Sequence, residues 1–380
     1  MARQTILTAA NNYESFDRWL KDNHIRTLLL VCDDSMQFLK IKDYFETLQS
    51  RIGVRVVKFD RFRPNPLYES VADGVSVFNT NGCEAIAAIG GGSAIDVAKC
   101  IKLYCNMDSG RNYLEQTVVP NDVPLLAMPT TAGTGSEATR YAVIYYNGVK
   151  QSVTHESCIP SAVMFDANAL QTLPLYQKKS TMLDALCHAL ESFWSVNSTD
   201  ESKGYSNKAI QLIIAVHEAY LSGDADACET MLHAANLAGK AINITQTTAG
   251  HAMCYKLTSL YGIAHGHAAA LCDRTLFPWM LQHTDKCIDP RGAQYLSDTF
   301  KEIASAMGCR TAEEASRKFR DLVDSLELSV PAASESDYEI LKSSVNPTRL
   351  KNHPIALDED SIDSLYRTML GGCAVDRNER

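Results

Sequence analysis

Residues 86–99 read IAAIGGGSAIDVAK, an apolar run, three successive glycines and then a helix-like segment. A tight turn needs one or two glycines, so removing three consecutive side chains asks for a further reason. Two readings are open. Either the helix packs very close to the strand, or Gly90, Gly91 and Gly92 with Ser93 offer bare N–H groups to a pyrophosphate at the positive end of the 94–99 helix. The spacing is neither GxGxxG nor GxxxxGK[ST], so an ordinary dinucleotide fingerprint or Walker A loop is not supported.

The surroundings of this segment predict an α/β domain. TLLLVCDD (27–34), RVVKFD (55–60), EAIAAIGGG (84–92) and part of DVPLLAMPTTAGTGSEAT (122–139) read as strands covered on both faces. Between the first two lies a helical stretch with Ser35 as its expected N-cap. FRPNP (62–66) reads as a rigid turn, and Asn81-Gly82 stops a second helix. Strands alternating with helices imply a mostly parallel sheet with ligands beyond its carboxyl ends. Beyond about Asp166 the pattern turns to long apolar-periodic segments, such as 177–194, 206–221 and 228–242. The expected division is a dinucleotide-binding domain over 1–170 and an all-helical domain over 171–380. VPAASESDYE (330–339) reads as an inter-helix loop and GGCAVDRNER (371–380) as a frayed end.

Composition narrows the partners. With 36 Lys and Arg against 45 Asp and Glu, a formal charge of −9 argues against nucleic acid. No run has the length of a transmembrane helix, and MARQTILTAANNY lacks the apolar segment of a secretory signal, so no membrane partner is expected. Twelve scattered cysteines without a CxxC pair read as buried free thiols in a reducing cytoplasm.

A second small-residue loop, PTTAGTGSEAT (129–139), follows a buried strand and supplies Thr130, Thr131 and Thr134. Paired with the first, it suggests opposite walls of one cleft. In TMLDALCHALESF, Asp184 and His188 stand four apart and share one helix face. HAMCYKLTSLYGIAHGH supplies His251, His265 and His267, with Gly262 interrupting the element between them. One carboxylate and three imidazoles make a ligand set suited to Fe(II), Zn(II) or Mn(II), which would act as a Lewis acid beside a hydride donor. Each histidine alone reads more readily as a packed or hydrogen-bonded residue than as a ligand.

Taken in order, LLLVCDD, FRPNP, GGGSAIDVAK, PTTAGTGSE, DALCHALES, GIAHGHA and NPTRL…ALDEDSI resemble the iron-containing (group III) alcohol dehydrogenase family over nearly the whole chain. The resemblance implies a dehydroquinate synthase-like fold, an NAD(H)-linked aldehyde reductase or alcohol dehydrogenase, a cleft where metal and nicotinamide meet, and a homodimer. It implies Asp184, His188, His251 and His265 as metal ligands, the last two keeping the family's spacing of fourteen. Gly90 to Ser93, Asp96, Thr130, Thr131, Thr134 and Lys150 would line the cofactor. Asp33 would accept hydrogen bonds from the adenosine ribose and repel a 2′-phosphate, which favours NAD(H) over NADP(H). The chain departs from the family where many members carry a non-ligating histidine four residues after the first late ligand. Here Tyr255 and Lys256 follow instead. Tyr255 or His267 is expected to take over proton transfer. Arg140 and Lys256 add cations that would bind an anionic group. INITQTTAGHAM…YKLTSLYGIAHG is similar to a subgroup reducing phosphonoacetaldehyde or sulfoacetaldehyde. A general alcohol or polyol dehydrogenase, an NAD- and metal-dependent lyase and a nucleotide or metal sensor are the competing expectations.

Overall fold

The computed structural model describes residues 4–371; the expected frayed end from 372 onward lies outside the described residues. The chain divides into two compact units. The first comprises the described residues up to 174 with 222–236, and the second comprises 175–221 with the described residues from 237.

The first unit is built on a six-stranded sheet of β1 (Thr5–Thr8), β2 (Thr27–Cys32), β3 (Arg55–Phe59), β4 (Ala85–Gly90), β5 (Leu125–Pro129) and β8 (Ala162–Phe165). The order is β1-β8-β5-β4-β2-β3, and every pairing is parallel. Successive side chains on a strand face opposite ways, and here both faces are apolar. Leu29, Val31, Ile86, Ala88, Leu125 and Ala127 enter one core layer, shared with helices α3 (Tyr68–Thr80) and α4 (Gly92–Tyr104). Leu28, Leu30, Cys32, Ala87, Ile89 and Met128 enter the other, with α1 (Ala10–Asp22) and α2 (Ile41–Ile52). Each large side chain so buried contributes about 1.5–3 kcal/mol. The antiparallel hairpin of β6 (Tyr141–Tyr146) and β7 (Val149–Thr154) turns at Asn147 and Gly148, both at positive φ.

Two local expectations are corrected. Ser35 does not cap a helix. Asp33 does, accepting the Ser35 N–H (2.9 Å) over a short 3-10 turn, and α2 begins only at Ile41. The segment 330–339 is loop only in its first half, because Ser334 caps a helix with Asp337 completing the box.

The second unit is helical: α6 (Leu175–Trp194), most of α7 (Asp200–Ser222), the end of α8 (Ala225–Thr245), α9 (Ala249–Tyr261), α10 (His265–Gln282), and α11 to α15 between Ala293 and Gly371. Gly262 (φ 69°) ends α9 in the left-handed conformation expected of it. Gly266 allows a close crossing. A Cβ there would run into the Ser180 carbonyl and lie 2.6 Å from Asp184 Cβ, so glycine brings the start of α10 against α6. The described cysteines are all free and mostly buried. Among the described residues no helix is long and apolar enough to cross a membrane.

Candidate functional sites in the two units

At the carboxyl ends of β4 and β5 the two glycine-rich loops lie side by side. Gly90 pairs in register with Pro129, and the Thr130 N–H donates to the Gly90 carbonyl (3.0 Å). They are neighbouring parts of one surface rather than opposite walls. The fold itself demands Gly90, which has φ 156° and where a Cβ would lie 2.6 Å from Ala94 Cβ and 3.0 Å from Asp33 Oδ2. At Gly92 a Cβ would press on Thr134 at 3.1 Å. Gly91 is different: a Cβ would meet only Thr131, at an ordinary 3.6 Å. Packing within the protein leaves Gly91 unexplained. Ser93 stands on the first turn of α4, and Asp33 beside Gly90.

Asp96 was expected against the cofactor, but the protein occupies both its oxygens. Oδ1 accepts from Ser136 Oγ (2.6 Å) and Oδ2 from the Val143 N–H (2.9 Å), which ties α4 to the second loop and to β6. Burial raises its pKa, against the opposing charges of Lys99 and Lys150, which places Lys150 in its neighbourhood. Lys99, which the sequence reading passed over, is fully buried and donates to Ser136 Oγ and to the Thr139 and Tyr141 carbonyls (2.7–3.1 Å). Arg140 meets the Glu156 carboxylate at 3.0 Å, so its charge is already paired.

In the helical unit Asp184, His188 and His251 bring one ligand atom each within 4.8 Å of one another, and all three are buried. His251 Nε2 lies 3.3 Å and His188 Nε2 3.9 Å from the same Asp184 Oδ1, and the two rings stack at 4.4 Å. Burial would raise the Asp184 pKa, but the imidazoles of His188, His251 and His265 hold it well below the carboxylate range. His251 Nδ1 is hydrogen-bonded to Glu191 Oε1, which directs Nε2 toward Asp184. Burial opposes charge on His251, yet Glu191 and then Asp184 raise its pKa to about 10. Glu191 also accepts from Thr248 N–H, Thr248 Oγ (2.7 Å) and His251 N–H (3.0 Å). It was missed in the sequence. The signal was there, since Asp184, His188 and Glu191 at i, i+4 and i+7 form a polar line on an apolar helix.

His265 flanks this cluster without joining its tightest part. Its ring is 5.3 Å from that of His251, and Nδ1 faces Cys254 Sγ at 3.5 Å. Tyr255 stacks on His265 (5.3 Å, 27°), and Arg349 Nη1 donates to Tyr255 Oη at 3.0 Å. His267, two positions along α10, instead packs on Tyr176, whose hydroxyl is 3.2 Å from Nδ1. Burial lowers its pKa. Lys256 is half-buried, with no ion pair among the described residues.

A buried carboxylate with two converging imidazole nitrogens, and a third imidazole beside them, fits a divalent ion of borderline softness. A parallel sheet with a glycine-rich turn at a helix start, in a chain with such a cluster, is the framework of a nucleotide- and metal-binding protein. The chain belongs to the iron-containing alcohol dehydrogenase family: residues 4–167 match the model "Iron-containing alcohol dehydrogenase" and 178–370 its C-terminal counterpart. It is thus an NAD(H)-dependent, metal-containing oxidoreductase. It is 28% identical over 367 residues to Alcohol dehydrogenase 4 of Schizosaccharomyces pombe, covering 92% of this chain and 84% of that one. It is 30% identical over 299 residues to the phosphonoacetaldehyde reductase of Streptomyces viridochromogenes, covering 74% and 75%. In fold it resembles the sulfoacetaldehyde reductase of Bifidobacterium kashiwanohense solved with NAD+, with a TM-score of 0.86, 24% identity and coverage of 97% and 98%.

Proposed function

We propose that the chain reduces a small anionic aldehyde, of the phosphonoacetaldehyde or sulfoacetaldehyde kind, to its alcohol using NADH and a bound divalent metal, Fe(II) before Zn(II) or Mn(II). The buried Asp184–His188–His251 cluster is the observation that carries the reaction class. The similarity to a phosphonoacetaldehyde reductase over three quarters of the chain supports the substrate class. When bound, the metal supplies Lewis acidity toward the aldehyde oxygen and NADH supplies the hydride.

The chain's own residues prepare that chemistry. Asp184, His188 and His251 would hold the ion, with His265 as the fourth ligand. Glu191 fixes the His251 ring, so that Nε2, facing Asp184, is the nitrogen that would meet the metal. Gly90, Gly91, Gly92 and Ser93 would bind the pyrophosphate, Thr130, Thr131, Thr134 and Lys150 would line the nucleotide, and Asp33 would select NAD(H). Burial raises the Tyr255 pKa, against the nearby Arg349 charge, so its phenol keeps a proton. Its oxygen accepts from Arg349, and its phenol is the proton donor to the product in this reading.

A general alcohol dehydrogenase is the second reading, favoured by the nearly full-length likeness to Alcohol dehydrogenase 4. Anaerobic NADH oxidation by metal-stripped protein reconstituted with Fe(II), Zn(II) or Mn(II) separates the two readings, with phosphonoacetaldehyde, sulfoacetaldehyde, propanal and butanal compared side by side. A higher kcat/KM for an anionic aldehyde supports the proposal. Equal or better use of the uncharged ones selects the second reading, and no turnover with metal and NADH both bound points to a lyase or a sensor. The proposal also takes the active form as a homodimer, which sedimentation of the purified protein tests.

A further inference from the structure

Arg349 is a guanidinium without a carboxylate. It sits on the four-residue helix α14 (Pro347–Leu350), capped by Asn346. Its Nη1 donates to Tyr255 Oη at 3.0 Å, and its Cζ lies 4.8 Å from the Tyr255 ring centroid. No Asp or Glu stands within ion-pair reach of it among the described residues. The contrast within the same unit is plain: Arg274, Arg291, Arg310 and Arg367 each meet a carboxylate at 2.6–2.8 Å. Arg349 is nevertheless half-buried. Withdrawing a cation from water without an anion is unfavourable, so such a group calls for an anion supplied from elsewhere.

Its position says which anion. Tyr255 contacts both the Arg349 guanidinium and the His265 ring, and His265 abuts His251 of the buried cluster. A fixed positive charge thus stands one aromatic ring away from the proposed metal ligands. We infer that Arg349 is the specificity-determining residue that binds the tetrahedral phosphonate or sulfonate end of a two-carbon aldehyde whose carbonyl end lies toward Asp184, His188 and His251. This inference rests on the anionic-aldehyde reading above. A guanidinium fork presents parallel N–H donors matched to two oxygens of a tetrahedral anion, and one N–H given to Tyr255 leaves four. Arg140, the candidate that the sequence suggested, is neutralised by Glu156. Lys256 offers only a flexible point charge. The same contact aligns Tyr255, so one residue sets both the anion and the proton donor.

The test compares kcat/KM for phosphonoacetaldehyde and sulfoacetaldehyde with that for propanal in the Fe(II)-loaded enzyme, as wild type, Arg349→Ala and Arg349→Lys. In Arg349→Ala the anionic-to-neutral ratio falls about 10- to 100-fold, chiefly through KM, the scale of lost charge-assisted hydrogen bonds. Arg349→Lys recovers part of it, because charge returns without the fork. Whichever anionic aldehyde loses more identifies the headgroup. Calorimetric titration of the Fe(II)- and NAD+-loaded protein with methylphosphonate or methanesulfonate gives a readout independent of turnover: binding is lost in Arg349→Ala and kept in Tyr255→Phe. If the wild type prefers the anionic aldehyde and Arg349→Ala keeps that preference, or still binds methylphosphonate, Arg349 is not the anion site although the substrate reading stands. If the wild type has no preference, the substrate reading fails and the inference with it. Should Arg349→Ala not fold, an Arg349→Lys ratio equal to wild type would overturn the assignment.

Discussion

The two units prepare their ligand sites by opposite means. In the α/β unit the groups proposed to bind are backbone amides, and only at Gly91 is the side chain missing without a packing reason. In the helical unit they are side chains, and the effort lies in compensating buried charge: Asp184 is set against imidazoles, and His251 against Glu191. A backbone site tolerates little added volume. A side-chain site tolerates little loss of charge or tautomer. The two are therefore broken by different substitutions.

The largest expected effect is in the helical unit. His251→Ala or Asp184→Asn should abolish stoichiometric metal binding and reduce NADH oxidation by at least about 10³-fold, the order lost with a principal electrostatic group. Metal analysis with steady-state rates checks this, and equilibrium titration with NADH should show little change in nucleotide affinity.

The next effect concerns charge that is not compensated. Both ring nitrogens of His353 are buried without a hydrogen-bond partner among the described residues, and burial lowers its pKa from 6.5 to about 4. As pH falls, the unfolded chain takes up that proton first, so this contribution is complete above about pH 6.5 and is lost toward pH 4. The metal-free protein should lose about 2–3 kcal/mol from this group between pH 7.5 and 4.5. His353→Leu should flatten that part of the stability curve in urea unfolding. An unchanged slope would mean that the imidazole is solvated.

Glu191→Gln keeps the shape but weakens the hold on His251, and metal affinity should fall about 10- to 100-fold. Competition with a chelator measures it, and an unchanged affinity would leave Glu191 a packing residue. The mildest substitution sharpens the contrast from the other side. Gly91→Ala has room within the protein, so stability should stay within about 0.5 kcal/mol of wild type. NADH affinity should nonetheless drop about tenfold, as befits one obstructed phosphate contact, while metal content is unchanged. Equal NADH affinity would return the third glycine to a packing role.

What the sequence revealed follows the same division. Continuous apolar runs marked β2, β3, β4 and β5, and apolar periodicity marked the long helices, because burial on one or two faces leaves a periodic trace. β1 and β8 carried little signal of their own. They are only four residues each, and their pairing joins residues about 157 apart in sequence. The three glycines were visible, but only the Cβ distances separate Gly90, which the fold requires, from Gly91, which it does not. In the metal cluster, spacing joined Asp184 to His188, whereas His251 reaches them only through the crossing of helices. The supporting groups were the least legible. Arg349 lies 94 positions from the Tyr255 it contacts, and nothing in NPTRL shows that its charge is left without a carboxylate. Asp96, conspicuous beside the glycines, also ties α4 to the second loop and to β6.

The central claim is that Asp184, His188 and His251 form a metal centre. Anomalous diffraction at the iron edge, from crystals of the Fe(II)-loaded protein grown anaerobically, tests it most directly. A single peak is predicted among Asp184 Oδ1, His188 Nε2 and His251 Nε2, with His265 turned toward it. A fully active sample whose only peak lies elsewhere, or which shows none, would contradict the account.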